Sequence, residues 1–511
     1  MSTSAESDAT PASSTERLAF ARGELRGRTA RGGLLNALFM GGAESLVLIQ
    51  GLVVTALLGP KSIGLYGVVS TTAVTILALQ RVGIDEAFVQ QDAPDQEAEF
   101  QRAFTVALVI ATLASLLIAA AAPILVAIYG DQQLLWLTLA VCYLPVGFAL
   151  QAPQWIFFRR MDFLRLRVLQ TSVPVITFCV TVPLAATGFG VWSLIVGPIV
   201  GNTVAILAGL AVSPYRLRIR FDGVAARHYL RFSWPVFATA LTMLALQQGQ
   251  ITAFGIKGGL VAAGFITLAA TLTRYVDRAD QILTTTIYPA ICAVRDQLDT
   301  LSELFVKSNR LTLMWAFPFG VTFMLFSADL VTRILGRKWD PAIPLLAGMA
   351  GALALQQIGY NWFSFYRARG NSSPQAIESA VLLVAFFAFA IPGLAIWGTW
   401  GFIAGRGLTS LAALVVRRHY VRALLPKVSL VRLATPAALA TAAAAAPVLV
   451  LRFTLWGGHR PAGQIVAELA LWGAGLALWT WLLERSLLRE LRSYLGVRTP
   501  PAAGFAAGAR G

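Results

Sequence analysis

Histidine and cysteine are nearly missing from this sequence, with three of each in 511 residues. Cys142, Cys179 and Cys292 stand far apart inside apolar stretches, so neither a disulfide framework nor a thiolate metal site is supported. They read as small buried hydrophobes. His228, His419 and His459 fall in separate polar joints, which excludes a histidine metal centre. Charge is scarce as well: Asp, Glu, Lys and Arg make up 13% of the chain and hydrophobic residues 57%, a balance outside the range of soluble globular domains. There is no G-x-x-x-x-G-K-[ST] phosphate loop, no polar segment long enough for a soluble domain, and no long joint on the presumed outer side. Direct ATP hydrolysis and extramembrane catalysis therefore have nowhere to sit. The reading is of a transporter and not an enzyme, with no cofactor.

What fills the chain instead is a succession of apolar runs of about 20 residues, the length that crosses a bilayer. They lie near 33–58, 63–84, 102–128, 134–158, 168–187, 191–213, 232–256, 259–290, 311–335, 341–366, 374–397, 400–421, 430–451 and 464–484. About fourteen transmembrane helices are predicted on that criterion. The runs are rich in Gly, Ala and Leu, carry internal prolines (Pro145, Pro174, Pro235, Pro318, Pro392), and lack the alternating polarity of barrel strands. The expected fold class is an all-α membrane protein.

The formal net charge of +16 follows the joints, so it calls for membrane lipid and not nucleic acid as a partner. One alternating set of joints (the N-terminus, 159–167, 216–231, 295–310, 367–369, 417–432 and the tail from 485) holds about 29 Lys and Arg, the opposite set about 7. Both termini are thereby placed in the cytoplasm. Residues 1–32 are polar and lack the apolar core of a signal peptide, which reads as a disordered cytoplasmic lead-in.

An internal repeat is visible. QWIFFRR (Trp155, Phe158, Arg160) recurs 207 positions later as NWFSFYR (Trp362, Phe365, Arg367). Gly190 and Trp192 recur at 208 as Gly398 and Trp400, and Gly64 at 200 as Gly264. All the matches fall at equivalent joints of a six-span unit. An even number of spans returns the chain to the same side, so duplication gives two like-oriented halves, an architecture suited to rocking alternating access. The expected organisation is an N-lobe at 33–213, a basic linker at 214–231, a C-lobe at 232–421, two appended spans at 422–484 and a cytoplasmic tail at 485–511.

Within span 8, TLTRYVDRADQ at 271–281 places charge in an otherwise apolar run. At 100° per residue, Thr267, Thr271, Arg274, Arg278, Gln281 and Thr285 share one stripe, bordered by Asp277, while Asp280 points elsewhere. A charge at mid-bilayer costs about 2.5–3.5 kcal/mol, so these residues should face protein or water. The blander reading is a structural ion pair of Asp277 with Arg274 or Arg278. Other polar residues inside spans are Glu44, Gln50, Arg81, Gln247, Gln248, Gln250, Gln356, Gln357, Asn361, Glu378 and Arg406, each on its own explicable as a packing hydrogen bond. Together they are richer in amide and guanidinium than in carboxylate, which suits an anionic, hydroxylated cargo because Arg forks match phosphate oxygens. The candidate substrate-binding set is Arg274, Arg278, Gln281, Asp277, Gln247, Gln250, Gln357, Asn361 and Arg81, with Glu44 the candidate for ion coupling and no metal ligand.

The stretches LLGPKSIGLYG (57–67), LQRVGIDEAFVQ (79–90), FRRMDFLRLRVLQ (158–170), ATGFGVWSLIVG (186–197) and AAGFITLAATLTRYVDRADQILTTTIYPAI (262–291) resemble the bacterial polysaccharide flippases of the multidrug/oligosaccharidyl-lipid/polysaccharide (MOP) superfamily. That resemblance implies a two-lobed, MATE-like bundle in the bacterial plasma membrane. It would move an undecaprenyl-pyrophosphate-linked oligosaccharide from the inner to the outer leaflet for exopolysaccharide, O-antigen or capsule synthesis, with glycan polymerase and export proteins as partners. Relatives often carry Asp where this chain has Gln250, which removes one carboxylate that could serve ion coupling. The alternatives are a multidrug or metabolite exporter of the same superfamily, a peptidoglycan-precursor flippase, and a non-transporting scaffold for glycan synthesis.

Overall fold

The computed structural model describes residues 39, 41–80, 84–85, 88, 95–160, 162–371, 373–456 and 460–496. The lead-in at 1–32, Arg81 and the tail beyond 496 lie outside them. Regular structure among the described residues is helical, as a bilayer requires: backbone groups there find no water, and a helix satisfies them internally.

In chain order the helices are α1 (Gly41–Leu57), α2 (Pro60–Gln80), α3 (Gln96–Tyr129) and the interrupted stretch α4 (Gln133–Arg159). Then come α5 (Phe163–Ala186), α6 (Ser193–Ala211) and α7 (Gly223–Thr273), followed by α8 (Arg278–Ala293), α9 (Leu298–Asp329) and α10 (Ile343–Gln356). The last are α11 (Trp362–Ala368), α12 (Ser373–Ala385), α13 (Ile391–Leu424), α14 (Leu430–Leu451) and α15 (Ala462–Gly496).

Among the described residues, nine helical stretches are long and apolar enough to cross a membrane, against about fourteen spans expected from runs of ~20 residues. Continuity accounts for part of the difference. The stretch Ser373–Leu424 has 52 residues, about 78 Å at 1.5 Å per residue, more than twice a hydrocarbon core of ~30 Å. It turns at Gly398, whose φ of 62° belongs to the left-handed region that glycine enters without strain. A Cβ on Gly393 would strike the carbonyl of Gly401, although eight residues of unbroken helix would separate the two by about 12 Å. The chain doubles back there, and α7 is broken in the same manner at Gly259. Gly190, the repeat partner of Gly398, has a φ of 59°.

The contacts divide the chain into two units, Met1–Leu58 with Val69–Ala238, and Gly59–Val68 with Thr239–Gly511. The first has an aromatic core in which Phe88 and Phe100 meet edge to face at 5.7 Å, with Trp155, Tyr215 and Leu217 packed against it. The second is centred on Phe305, Trp362 and Phe365, covered by Leu425 and Leu433. Within this second unit the start of α2 lies against the residues after the Gly259 break. A Cβ on Gly64 would overlap the Leu260 carbonyl, and a Cβ on Gly264 would overlap the Pro60 carbonyl. The close approach is reciprocal at an offset of 200 residues, the spacing of the sequence repeat, and it uses small residues as membrane helix contacts do.

The appended helices α14 and α15 are fastened to α9 by charge. Glu484, fully buried, meets Arg310, and Glu490 meets Lys307. Sixteen residues earlier, about 24 Å along the axis, buried Glu468 accepts from Arg452 and Arg460 at 2.6 Å each, and Arg460 also bonds Asp329 at 2.9 Å. Between these levels Trp472 Nε1 donates to Thr322 at 2.9 Å.

Candidate functional site

The charged stretch of span 8 is where the helix changes type. α7 ends at Thr273, residues Arg274–Asp277 form a 3-10 turn, and α8 starts at Arg278. Counted from the Gly259 break, Arg274 lies about 22 Å along the helix axis, inside a hydrocarbon core of ~30 Å. Its side chain is exposed, its guanidinium stands 5.4 Å from the centre of the Tyr275 ring, and it forms no ion pair among the described residues. Arg278 lies 5.9 Å from the same ring. Buried Tyr275 is thus shared by both cations, and its carbonyl accepts from Trp315 Nε1 at 3.0 Å, which pins the turn to α9. Gln281 bridges the charges: Arg278 donates to its Oε1 at 3.0 Å, and its Nε2 donates to Asp277 at 3.1 Å.

The turn also corrects the expected stripe. A 3-10 residue advances about 120° and an α residue about 100°, so four residues rotate everything downstream by about 80° relative to Thr267. Thr267 is buried, bonded to the Ala263 carbonyl, and faces Gly67; Arg274, where the turn begins, keeps the α-helical line but is exposed, and the offset separates both from Arg278 and Gln281. Asp280 is turned inward and accepts from Thr284 at 3.2 Å. The Thr285 side chain lies outside the described residues.

A second group, which the sequence did not reveal as a unit, lies at the inner face of α12 and α13. Arg417, counted from sequence among the basic joint residues of 417–432, is only 1% exposed. Its Nε donates to Glu378 at 2.5 Å, Nη1 to the carbonyls of Gln356 and Ile358, and its cation lies 5.0 Å from the Tyr360 ring. Trp362 Nε1 bonds the other Glu378 oxygen at 2.9 Å and stacks on Tyr420 at 5.2 Å. Glu378 is therefore a packing partner.

The remaining expected residues separate. Asn361 is consumed inside the unit, donating to Ser308 at 2.9 Å and accepting from Asn309 at 2.6 Å. At 1% exposure it is engaged inside the unit at both its amide oxygen and its amide nitrogen. Gln357 is buried too, with Oε1 lacking a partner among the described residues. Gln247 is exposed and Gln250 buried on the first half of α7, where the intervening Gly249 packs on Phe386. The same ring carries the guanidinium of Arg406 at 5.8 Å, beside the π-helical segment Phe386–Ala390 of span 11. Glu44 is half-buried on α1 in the first unit, and Arg81 is outside the described residues. No group of three or more His, Cys, Asp and Glu capable of holding a metal occurs among the described residues.

The arrangement fixes two arginines and an amide on a broken membrane helix, held from behind by aromatic and ion-paired side chains. It presents donors and positive charge, with the Asp277 carboxylate engaged by Gln281. Comparison with known proteins agrees with this character. The chain is 23% identical over 482 residues to the succinoglycan biosynthesis transport protein ExoT of Rhizobium meliloti (strain 1021), covering 88% of this chain and 92% of that one. It is 24% identical over 232 residues to the lipopolysaccharide biosynthesis protein WzxC of Escherichia coli (strain K12), covering 44% and 45%. Its fold matches the lipid II flippase MurJ in an inward closed conformation with a TM-score of 0.70 at 11% identity, over 89% of this chain and all of that one. An inward-facing multidrug resistance MATE transporter of the MOP superfamily matches with a TM-score of 0.60 at 16% identity, over 75% and 96%. This is a multi-pass membrane protein with the fold of those two structures, and the polysaccharide biosynthesis protein profile matches residues 53–344. That match spans more than half of the sequence, and the chain belongs to the polysaccharide biosynthesis protein family.

Proposed function

We propose that the chain translocates a polyprenyl-pyrophosphate-linked oligosaccharide from the cytoplasmic to the outer leaflet of a bacterial plasma membrane, for exopolysaccharide, O-antigen or capsule synthesis. The observation that carries this reading is Arg274, an exposed cation about 22 Å into a membrane helix, without a carboxylate partner among the described residues. Such a charge is tolerated only against water or an anion. With Arg278 it offers two guanidinium forks of the geometry that phosphate oxygens accept. Gln281 and Asp277 hold Arg278 in place, so the donors are oriented before cargo arrives and less ordering is needed on binding. Exposed Gln247 is the amide best placed by exposure to meet sugar hydroxyls.

The direction follows from charge. The arginine bias of the joints sets both termini in the cytoplasm, and an inside-negative potential drives a pyrophosphate outward by about 2.3 kcal/mol per charge per 100 mV crossed. Partners in this reading are the lipid-linked glycan, the surrounding lipid, and the polymerase and export proteins that receive the product. The test is the leaflet distribution of lipid-linked oligosaccharide in membrane vesicles from cells with and without the protein. Accumulation on the cytoplasmic face in the deletion supports the reading; an unchanged distribution refutes it and redirects attention to small-molecule export.

A further inference from the structure

The segment joining α6 to α7, residues 213–222, is built as an extended strap on the first turns of α3. Three backbone bonds at two heights fix its path. The Arg216 N–H donates to Glu97 and its carbonyl accepts from Gln101, while four residues later the Arg220 N–H donates to Thr105 Oγ1 at 2.7 Å. Glu97 to Thr105 is about 12 Å of helix, and four extended residues span about 13 Å, so the strap runs straight along α3 toward its apolar part. It then returns, since Asp222 pairs with Arg102 at 3.4 Å, back near the charged start of the helix. The tip of this dip is Ile219–Arg220–Phe221.

Exposure alternates along the strap as far as Arg218 and is high throughout the tip. Tyr215 and Leu217 turn inward and pack on the aromatic core of the first unit, with Arg160 stacked on Tyr215 at 5.3 Å. Arg216, Arg218 and Arg220 turn outward, and none of their guanidinium groups forms an ion pair among the described residues. The nearby acids are engaged: Glu99 and Asp222 by Arg102, Glu97 by Gln101 and the Arg216 backbone. At the tip, Ile219 is 76% and Phe221 73% exposed. Ile219 also walls an apolar groove of about 260 Å³ whose other sides are Thr105, Leu108, Val109, Thr112 and Leu113 of α3.

We propose that this strap is a binding site for anionic phospholipid of the cytoplasmic leaflet. Ile219 and Phe221 enter the acyl boundary, an acyl chain lies in the groove along α3, and Arg216, Arg218 and Arg220 take the phosphate and its neighbours. The occupant follows from charge and depth together. Two exposed hydrophobes at the level where a membrane helix becomes apolar belong at the headgroup–acyl boundary, where an apolar face flanked by arginines binds negatively charged lipid. The side of the membrane rests on the arginine bias of the joints; the rest is independent of what the protein carries.

The test uses the full-length protein in vesicles. A cysteine-free background (Cys142, Cys179 and Cys292 replaced) carries Phe221→Cys labelled with a small fluorophore, and quenching is measured with dibrominated phosphatidylglycerol or phosphatidylcholine. Three arginines beside an anionic surface predict a preference for phosphatidylglycerol of roughly tenfold or more, lost in Arg216→Gln/Arg218→Gln/Arg220→Gln and reduced by salt. Circular dichroism and elution volume check that the variants fold. Equal quenching by both lipids overturns the proposal by showing unselective insertion, and no quenching by either overturns it by placing the tip outside the bilayer. Relief of phosphatidylglycerol quenching by a few mole per cent of polyprenyl pyrophosphate also overturns it, reassigning the strap to cargo.

Discussion

Replacing Arg417 by Met would leave Glu378 as a carboxylate inside apolar protein with a single remaining donor, Trp362 Nε1 at 2.9 Å. The arginine makes a 2.5 Å bond to Glu378 and two bonds to the carbonyls of Gln356 and Ile358, and lies 5.0 Å from the Tyr360 ring. With 1% of Arg417 exposed, water cannot substitute for these contacts. Hydrogen bonds to charged groups are each worth about 1.5–3 kcal/mol, and removing one partner of a buried pair typically costs about 3–5 kcal/mol. The expected loss for Arg417→Met is therefore about 4 kcal/mol. Removing the charge on both sides, Arg417→Met with Glu378→Gln, keeps the Trp362 bond and should recover about half of that loss, because most of the penalty comes from stranding the acid. Denaturant unfolding of the purified protein in micelles, read as a double-mutant cycle, would measure it. A single variant within about 0.5 kcal/mol of the parent, or a double variant as unstable as the two single losses added, would refute the account of this pair.

Three further outcomes are expected. Gly64→Val drives side-chain carbons into the Leu260 carbonyl, backbone that cannot move aside, whereas Gly42→Val meets nothing within 4 Å; the first should lose its monodisperse elution peak and the second should keep it. Glu484→Gln removes the charge facing Arg310 on α9 and should loosen α14 and α15, seen as faster trypsin cleavage at the exposed joint residue Lys427; unchanged cleavage would show that apolar packing alone holds them. Lys427→Ala should leave the melting midpoint unchanged. Its pKa is raised by the Asp299 carboxylate and that of Asp299 is lowered in return, so whatever the pair contributes is present across neutral pH, and is lost as pH rises beyond lysine's ordinary pKa or falls below that of the carboxylate. Both groups are solvent-exposed, where such pairs contribute little, and differential scanning fluorimetry across neutral pH checks this.

Some features were legible in the sequence because membrane physics leaves few options. Span length is set by bilayer thickness, so a run of 52 helical residues had to turn, and glycine at 259 and 398 supplied the backbone that turns. Gly64 and Gly264, noticed only as repeat partners, meet face to face because close helix contacts and conserved spacing share the same small residues. Arg417 was not legible: it is 39 residues from Glu378 and precedes Arg418 in a basic joint, where positive charge is normally solvated. The stripe is interrupted after Arg274 for a local reason, since a uniform helical period cannot anticipate a 3-10 turn at Arg274–Asp277 pinned by Trp315, and the offset falls on Arg278, Gln281 and Thr285. The bonds of Asn361 to Ser308 and Asn309 were not legible either, because an amide inside a span looks the same in sequence whatever it faces.

Translocation is measured in proteoliposomes loaded on one leaflet with a fluorescent polyprenyl-pyrophosphate oligosaccharide. Outward movement is read by an impermeant quencher or a glycan-specific hydrolase. The account predicts translocation by the parent, loss of at least tenfold in Arg274→Ala/Arg278→Ala with elution and melting behaviour unchanged, and partial recovery in Arg274→Lys/Arg278→Lys, where charge is kept and the fork is lost. Undiminished translocation by the alanine variant would contradict it, because the two cations on the broken helix would then have no part in holding the pyrophosphate.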